Sequence, residues 1–182
     1  MSDTTTSLPA GRWTIDRAHS SVGFTVRHMM VSKVRGRFAD FDAEIVTAEN
    51  PLESSLRATV QMASIDTGDA DRDQHLRTND FFDIETYPQM TFVTTGITES
   101  GGEHQLHGDL TIRGVTRPVT FDLEFGGAGK DPWGNTKAGF TVTGTINRKD
   151  FGIQWNAPLE TGGVLIADKV AIELDIEAAL ES

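Results

Sequence analysis

The chain of 182 residues contains no cysteine, which excludes disulfide bonds and thiolate metal ligands. It also lacks any run of about 18 apolar residues, so we expect no membrane-spanning helix and no integral membrane association. The amino-terminal stretch has no basic segment followed by an apolar one, and a secretory signal peptide is therefore not expected either. From these absences we predict a cytoplasmic protein.

Positive charge is scarce. The chain has 16 Lys and Arg residues against 27 Asp and Glu residues, and its formal net charge is −11. This excess of acid repels phosphate backbones and anionic lipid surfaces at long range, although it is compatible with a local basic patch. We therefore expect no nucleic-acid partner. Hydrophobic residues make up 37% of the chain, which is enough to build one domain with a buried core.

Motifs of nucleophilic catalysis and metal binding are absent too. Without cysteine, and without a Gly-x-Ser-x-Gly turn, the chain offers no recognisable activated nucleophile. His104 and His107 are three residues apart and face opposite sides of a strand, and His19 and His28 do so as well unless a bulge intervenes. We therefore predict no catalytic residues, no metal site and no cofactor.

Apolar residues recur at every second position through most of the chain. Clear examples are the stretches SVGFTVRH, RPVTFDLEFG and AGFTVTGTIN. Such alternation is typical of antiparallel strands with one buried face. About eight or nine strands of this kind are predicted, joined by turn-rich segments. The fold class is therefore all-β, a sandwich or barrel, in a single domain over residues 12–182 that follows a flexible tail over residues 1–11.

Two local features interrupt the strands. Near Gly36 the apolar alternation slips between Phe38 and Phe41, which predicts a bulge or bend of the kind that turns a strand around a barrel corner. Further along, Asp69 can cap a helix, and acidic residues follow it in the first turn, where the helix dipole favours them. We predict one short helix over residues 69–77.

Four long segments carry a resemblance to a known family. In chain order they are HSSVGFTVRHMMVSKVRGRFADFDAEI, RDQHLRTNDFFDIETYPQMTF, GDLTIRGVTRPVTFDLEF and GTINRKDFGI. In this order and spacing, over about residues 12–180, the chain resembles the YceI-like family of lipocalin-like, polyisoprenoid-binding proteins. The resemblance implies an elongated eight-stranded antiparallel barrel whose pore holds a long isoprenoid or similar amphiphile. Many members carry a secretory signal, and this chain departs from them in that respect.

A pore of this kind favours binding over catalysis. An eight-stranded barrel is just wide enough to hold one small ligand, and burial of a lipid tail releases about 0.8 kcal/mol per CH₂. We therefore predict non-catalytic binding, sequestration or transport of a long-chain isoprenoid lipid of the polyprenyl or quinone-precursor type. Two alternatives stay open: a fatty-acid or fatty-amide binding protein, and an enzyme that uses Arg72, His75 or Asp80 as acid or base on a hydrophobic substrate inside the barrel. A homodimer is an open alternative to a monomer.

The candidates for pore lining are the apolar residues on the predicted inner faces, together with aromatic residues next to the barrel ends. They are Phe24, Val26, Met62, Phe81, Phe82, Met90, Phe92, Leu110, Phe121, Phe140, Val142, Trp155, Ile172 and Leu174. Only the family resemblance favours a ligand pore over a filled core for this set. Of the two loop tryptophans, Trp133 is predicted to fold back on the barrel, whereas Trp155 either lines a mouth of the pore or caps the core.

Besides the catalytic alternative, the stretch DRDQHLRTNDFFDIETYP, residues 71–88, allows two interpretations. In the first, Leu76, Phe81 and Phe82 form a plug in one end of the barrel, under a solvated and salt-bridged charged face. In the second, the stretch is an anion clamp that holds the ligand headgroup. The candidate headgroup contacts are Arg72, His75 and Arg77. The acidic residues of the first turn oppose an anion there, so we favour the plug.

Overall fold

The computed structural model describes residues 8–157, 159 and 165–181. These residues form eleven strand segments and one α-helix. The strands are β1 (Gly11–Ile15), β2 (Ser21–His28), β3 (Ser32–Phe38), β4 (Phe41–Thr47), β5 (Ser55–Gln61), β6 (Ile65–Asp66), β7 (Gln89–Ser100), β8 (Glu103–Ile112), β9 (Val115–Lys130), β10 (Thr136–Asn147) and β11 (Ile166–Leu180). The helix α1 (Ala70–Arg77) lies between β6 and β7, and 3₁₀ helices occupy Arg17–His19, Pro51–Glu53, Met62–Ser64 and Arg148–Phe151.

The strands close into an eight-stranded antiparallel barrel. Around the barrel the order is β1, β4, β5, β7, β8, β9, β10 and β11, and β11 pairs with β1 to close the ring. At one end, β2 takes the place of β1 beside β11, and β3 and β6 continue the sheet from β2. Three of the eight strands are thus bent strands made of two segments: β1 with β2, β3 with β4, and β5 with β6. The predicted barrel is confirmed.

The bend between β3 and β4 lies where the alternation slips. β3 ends at Phe38 and β4 begins at Phe41, and both rings are buried while residues 39–40 are exposed. Because two exposed residues separate two inward ones, the strand must turn at this point. The predicted bend is confirmed.

The helix α1 forms as its cap predicts. The carboxylate of Asp69 accepts a hydrogen bond of 3.0 Å from the backbone N–H of Arg72, and the helix ends at Arg77. Within the described residues, no helix is long and apolar enough to cross a membrane.

Three glycines allow phenylalanine rings to lie flat against the inner wall. The pairs are Phe24 over Gly36, Phe92 over Gly108 and Phe121 over Gly144. In each pair a Cβ atom on the glycine would lie only 2.3 Å from a ring carbon, so no other residue fits unless the ring moves. The rings therefore cover the wall instead of projecting across the lumen.

The barrel end that contains Trp13 is closed by packed side chains. Trp13 is 1% exposed, and its Nε1–H donates a hydrogen bond of 2.9 Å to Oγ1 of Thr47. The hydroxyl of Thr47 in turn donates to the carbonyl of Pro9 at 2.7 Å. Of the predicted tail over residues 1–11, residues 1–7 lie outside the described residues, whereas Leu8 packs against the core and Gly11 begins β1.

The prediction that Trp133 folds back on the barrel is wrong. Trp133 is 83% exposed in the turn between β9 and β10. The carboxylate of Asp131 accepts hydrogen bonds of 2.9 Å from the backbone N–H groups of both Trp133 and Asn135. The turn is thus closed by its own hydrogen bonds and does not depend on packing of the indole.

A cluster of titratable groups lies on the outer surface between β1 and β2. The Oδ2 atom of Asp16 lies 2.9 Å from Nδ1 of His19 and 3.2 Å from Nζ of Lys137. The hydrogen bond with His19 is the main cause that lowers the pKa of Asp16 to about 2, while burial opposes it and Lys137 adds to it. The same hydrogen bond raises the pKa of His19 above its ordinary value of 6.5.

Replacement Asp16→Asn is expected to return the pKa of His19 toward 6.5, as measured by an NMR titration of the imidazole. Protonated His19 stabilises the folded state below its unfolded pKa, and this contribution is lost as the pH rises through the raised folded value. The thermal midpoint of the unchanged protein should therefore fall more between mildly acidic and mildly basic pH than that of the variant. A His19 that titrates at 6.5 in the unchanged protein contradicts the assignment.

Candidate ligand-binding cavity

A cavity of about 430 Å³, here called the wide chamber, occupies the barrel end that contains α1. Its wall comes from β2, β3, α1, the 3₁₀ helix Arg148–Phe151 and the start of β11, and it is mostly apolar. Cavities of about 300–1,000 Å³ with apolar walls and a few polar groups are typical of small-molecule sites. The wide chamber has both properties.

A second cavity of about 90 Å³, the narrow chamber, continues along the barrel axis toward Ile176. Val22, Met90 and Ile172 line both chambers and mark the junction between them. The interior therefore narrows from an open end to an apolar tube that points at the closed end.

All but two of the predicted pore-lining residues line at least one of these chambers, and Met90 and Ile172 line both. The wide chamber contains Phe24, Val26, Phe81, Phe82, Met90, Trp155 and Ile172. The narrow chamber contains Met90, Phe92, Leu110, Phe121, Val142, Ile172 and Leu174. Met62 and Phe140 line neither chamber: Met62 is buried in the core between β5 and β6, and the ring of Phe140 packs on Phe125 with centroids 5.6 Å apart. That these side chains contact a ligand stays a prediction.

The apolar side chains of residues 71–88 pack into the barrel end beside α1, as the plug interpretation predicts, but they leave the wide chamber there unfilled. Phe81 is buried, and Leu76 and Phe82 pack against both halves of the core while lining the wide chamber. The imidazole of His75 makes edge-on contacts with the rings of Phe81 and Trp155, at centroid distances of 5.0 and 4.8 Å. Trp155 therefore belongs to the chamber wall, and these aromatic contacts join its loop to α1.

The charged side chains of α1 are not all part of a solvated, salt-bridged face, and for three of them that prediction is wrong. Arg72 donates to the hydroxyl and the carbonyl of Thr67 at 2.7 and 2.6 Å. Asp73 is buried and accepts from the backbone N–H of Thr67 at 2.9 Å, and Arg77 donates to the carbonyl of Ala63 at 3.2 Å. The physical reason is that backbone groups at the junction of β6 and α1 need hydrogen-bond partners.

Of the predicted headgroup contacts, Arg72 and His75 line the wide chamber and Arg77 does not. The Nε2 atom of His75 lies 2.8 Å from Oδ2 of Asp80, and Asp71 also reaches the chamber. The polar edge of the chamber thus carries charges of both signs. It can accept a hydroxyl or another small polar headgroup as well as an anion.

Sequence reasoning did not single out Arg148, although it organises one wall of the wide chamber. Its guanidinium is buried and donates to the carbonyls of Ile153, Trp155 and Ala167 at 2.9, 2.8 and 3.0 Å. Burial lowers the pKa of Arg148, but a guanidinium stays protonated in proteins. Arg148 therefore ties the loop after Phe151 to the start of β11. No local pattern marks it, because its partners are carbonyls from two separate segments.

One histidine–carboxylate cluster within the described residues has the spacing of a metal site. Ligand atoms of Asp16, His19 and Glu177 lie within 4.8 Å of one another on the outer surface. The ammonium group of Lys137 already contacts Asp16 there, and a cation in that position repels a metal ion. We assign no metal to the cluster.

Replacement Gly36→Ala is expected to narrow the wide chamber. The new Cβ would lie 2.3 Å from the ring of Phe24, so the ring must turn into the lumen. We expect about tenfold weaker binding of a long apolar probe and a stability loss on the order of 1–3 kcal/mol. The control is Gly96→Ala in β7, whose Cβ meets nothing within 4 Å and which lines neither chamber. Equal probe affinities of the two variants, measured by fluorescence titration, would argue against ring displacement.

The fold and its chambers define the class: an antiparallel β-barrel with an apolar interior, closed by packed side chains at one end and partly covered by a helix and its following loop at the other. The YceI-like domain matches residues 13–178, and the chain belongs to the YceI-like family. This confirms the family resemblance. A UPF0312 protein of Staphylococcus epidermidis is 44% identical over 173 residues, which cover 94% of this chain and 99% of that protein. A UPF0312 protein of Staphylococcus aureus is 43% identical, with 92% and 97% covered.

Solved structures share the barrel. BcnA of Burkholderia cenocepacia superposes with a TM-score of 0.78 at 28% identity, covering 90% of this chain and 98% of that one. The YceI protein of Campylobacter jejuni gives a TM-score of 0.74 at 32% identity, with 92% and 96% covered. A domain from Saccharophagus degradans, described as polyisoprenoid-binding, gives 0.70 at 14% identity, with 93% and 98% covered, and shares the fold.

Proposed function

We propose that the protein binds the chain of one isoprenoid lipid in the two chambers and sequesters or carries it without changing it chemically. The observation that carries the proposal is the shape of the interior. The wide chamber meets the narrower apolar chamber at Val22, Met90 and Ile172, and a wide space that continues into a narrow apolar one fits one long chain inserted tail first.

The wall chemistry supports an apolar chain as the ligand. Burial of each CH₂ group contributes about 0.8 kcal/mol, so the tail alone supplies most of the affinity. The rings that lie flat over Gly36, Gly108 and Gly144 leave a smooth wall along which a methyl-branched chain can slide. The structural neighbour from Saccharophagus degradans is described as a polyisoprenoid-binding domain, and we extend that ligand class to this chain.

The orientation of the ligand follows from the polar groups. Arg72 and His75 lie at the edge of the wide chamber, whereas the narrow chamber is lined almost wholly by apolar side chains. The headgroup therefore stays at the open end, near α1. Selectivity rests on chain length and width more than on the headgroup.

The test is displacement of an apolar fluorescent probe by isoprenoid alcohols of increasing length. Affinity should rise with each isoprene unit until the chambers are full and then level off. Val142→Phe, which fills the narrow chamber, should move the optimum to shorter chains. Thr143→Val on the outer face should leave it unchanged. If no isoprenoid alcohol displaces the probe, the proposal is contradicted. If fatty acids or fatty amides displace the probe clearly better than isoprenoid alcohols do, they are the ligand class instead.

Catalysis is the second candidate, and the hydrogen bond between His75 and Asp80 beside the wide chamber is the observation that favours it. A carrier returns its ligand unchanged. Mass spectrometry of an isoprenoid recovered after incubation with the protein distinguishes the two functions. A new product that His75→Gln abolishes, while probe binding persists, would establish the enzyme.

A further inference from the structure

The hairpin of β2 and β3 carries an exposed apolar tip, residues 29–31, here called the hairpin tip. Met29, Met30 and Val31 are 44%, 59% and 80% exposed. Apart from these three, the exposed large hydrophobic residues of the described chain are Val93 and Trp133, which stand singly. Three adjacent apolar side chains in water therefore distinguish the hairpin tip from the rest of the described surface.

The backbone of the hairpin tip adds to this contrast. Met29 and Met30 have φ angles of 54° and 63°, a left-handed conformation that favours asparagine and glycine. The N–H of Val31 donates to the carbonyl of His28 at 3.2 Å and closes the turn. A polar Asn-Gly pair would suit this turn better, so the stability of the hairpin does not explain the two methionines.

Positive charge surrounds the hairpin tip. Residues 21–38 contain four of the 16 Lys and Arg residues and none of the 27 Asp and Glu residues, in a chain whose net charge is −11. Arg27 lies directly opposite Lys33 across the hairpin, and Arg35 follows on the same exposed face. The guanidinium of Arg37 lies 3.5 Å from the carboxylate of Asp66. Within the described part of the chain, no salt bridge joins Arg27, Lys33 or Arg35 to a carboxylate.

The hairpin also forms part of the open end of the wide chamber. Val26, His28 and Val34 line the chamber immediately behind the hairpin tip. The N–H of Met29 donates to the carbonyl of Leu165 at 2.8 Å, and Leu165 lines the chamber as well. A surface seated on the hairpin tip therefore lies next to the wide chamber.

We propose that the hairpin tip docks the protein on an anionic lipid bilayer, with residues 29–31 inserted among the acyl chains and Arg27, Lys33 and Arg35 on the headgroups. The proposal rests on the proposed lipid binding, because docking at this point places the wide chamber against the source of its ligand. Apolar side chains flanked by cations are the composition of peripheral membrane anchors. The local charge overcomes, at short range, the long-range repulsion that the net charge predicts.

A second copy of the chain fits the hairpin tip less well. Three apolar side chains bury far less area than the roughly 800 Å² per partner of a stable protein interface. A bilayer needs no complementary shape, and it supplies both the apolar depth and the negative charge that this surface lacks.

The experiment is flotation of the full-length protein with vesicles of phosphatidylglycerol and phosphatidylcholine in equal parts. The protein should float with these vesicles, stay behind with pure phosphatidylcholine, and detach at high salt. Lys33→Ala with Arg35→Ala should weaken the apparent affinity about 30-fold. The double variant Met29→Ser with Met30→Ser should abolish flotation. The controls, Lys130→Ala and Trp133→Ser, change an exposed cation and an exposed apolar side chain at the opposite end and should float as the unchanged protein does.

The outcomes separate docking from ligand binding. Absence of flotation while the apolar probe still binds overturns the docking proposal and leaves lipid binding intact. Loss of flotation in the control variants, or flotation that ignores the charge of the vesicle, also overturns it. A change of sedimentation coefficient with Met29→Ser and Met30→Ser, without vesicles, assigns the hairpin tip to a second copy instead. Flotation without probe uptake keeps the docking surface and contradicts the proposed function.

Discussion

Phe121→Asp is expected to leave most of the protein unfolded at neutral pH. Phe121 is buried in the wall of the narrow chamber, where its ring lies over Gly144 and 5.9 Å from the ring centroid of Phe92. Loss of a buried phenylalanine costs about 3–5 kcal/mol, and an unpaired carboxylate in the same place costs several more. Since domains are stable by only about 5–15 kcal/mol, the loss is comparable to the whole stability.

The neighbouring Asp122→Asn is the matched control, because Asp122 points to solvent from the same strand. It should change the free energy of unfolding by less than about 0.5 kcal/mol. The new carboxyl of Phe121→Asp has a raised folded pKa, so this variant should be more stable at acidic pH and lose stability as the pH rises. Chemical denaturation followed by circular dichroism measures both. If Asp122→Asn lowered the free energy of unfolding strongly and Phe121→Asp left it unchanged, the inner and outer faces of β9 would be the reverse of those described.

Arg148→Met is expected to cost on the order of 3–5 kcal/mol and to loosen one wall of the wide chamber. The change removes the donors for the carbonyls of Ile153, Trp155 and Ala167, which lie in two segments. Hydrogen exchange should accelerate in residues 152–157 and at the start of β11, and the apolar probe should bind more weakly.

Lys149→Met is the control for Arg148→Met, in the same 3₁₀ helix. Lys149 is half-exposed and contacts Asp168 at 3.3 Å on the surface, a pair that contributes about 1 kcal/mol or less. If both variants lose the same stability, or if Arg148→Met leaves hydrogen exchange in the two segments unchanged, Arg148 does not hold them together.

The strands and the helix could be predicted because their causes are local. Alternation of apolar residues reports directly which face of a strand is buried, and the slip between Phe38 and Phe41 reports a bend. The helix follows from the cap at Asp69 and the charges behind it. Each of these signals spans fewer than about ten residues, so a single sequence is enough to predict the strands, the bend and the helix.

The interior could be predicted only in part, because its shape depends on neighbours from distant strands. Phe121 lies over Gly144 and Phe92 over Gly108, and no spacing in the sequence announces these pairs. For the same reason Phe140, which has the same inward pattern as Val142, packs on Phe125 and lines neither chamber. Alternation identifies the inner face but not the depth at which the cavity ends.

The hydrogen-bond partners of charged side chains at the junctions between segments are the part of the structure that the sequence predicts least. The residues of α1 suggest ion pairs, yet Arg72 and Asp73 bind Thr67 because backbone groups there need partners. Arg148 carries no local signal for a similar reason, since its hydrogen bonds go to backbone carbonyls, whereas the carboxylate of Asp168 lies farther away at 3.8 Å. Such contacts follow from the path of the backbone, which the sequence pattern does not specify.

Native mass spectrometry tests the central claim that the barrel interior holds one long apolar chain. Protein purified without detergent, stripped by organic extraction and then incubated with an isoprenoid alcohol should show a single added mass per chain. In Val142→Phe, whose bulkier side chain fills the narrow chamber, the added mass of the longest isoprenoid alcohols should be lost. In Thr143→Val, on the outer face, the added mass should be kept. A mass that equals the bare chain under every condition, from a protein that is folded by circular dichroism, would contradict the account.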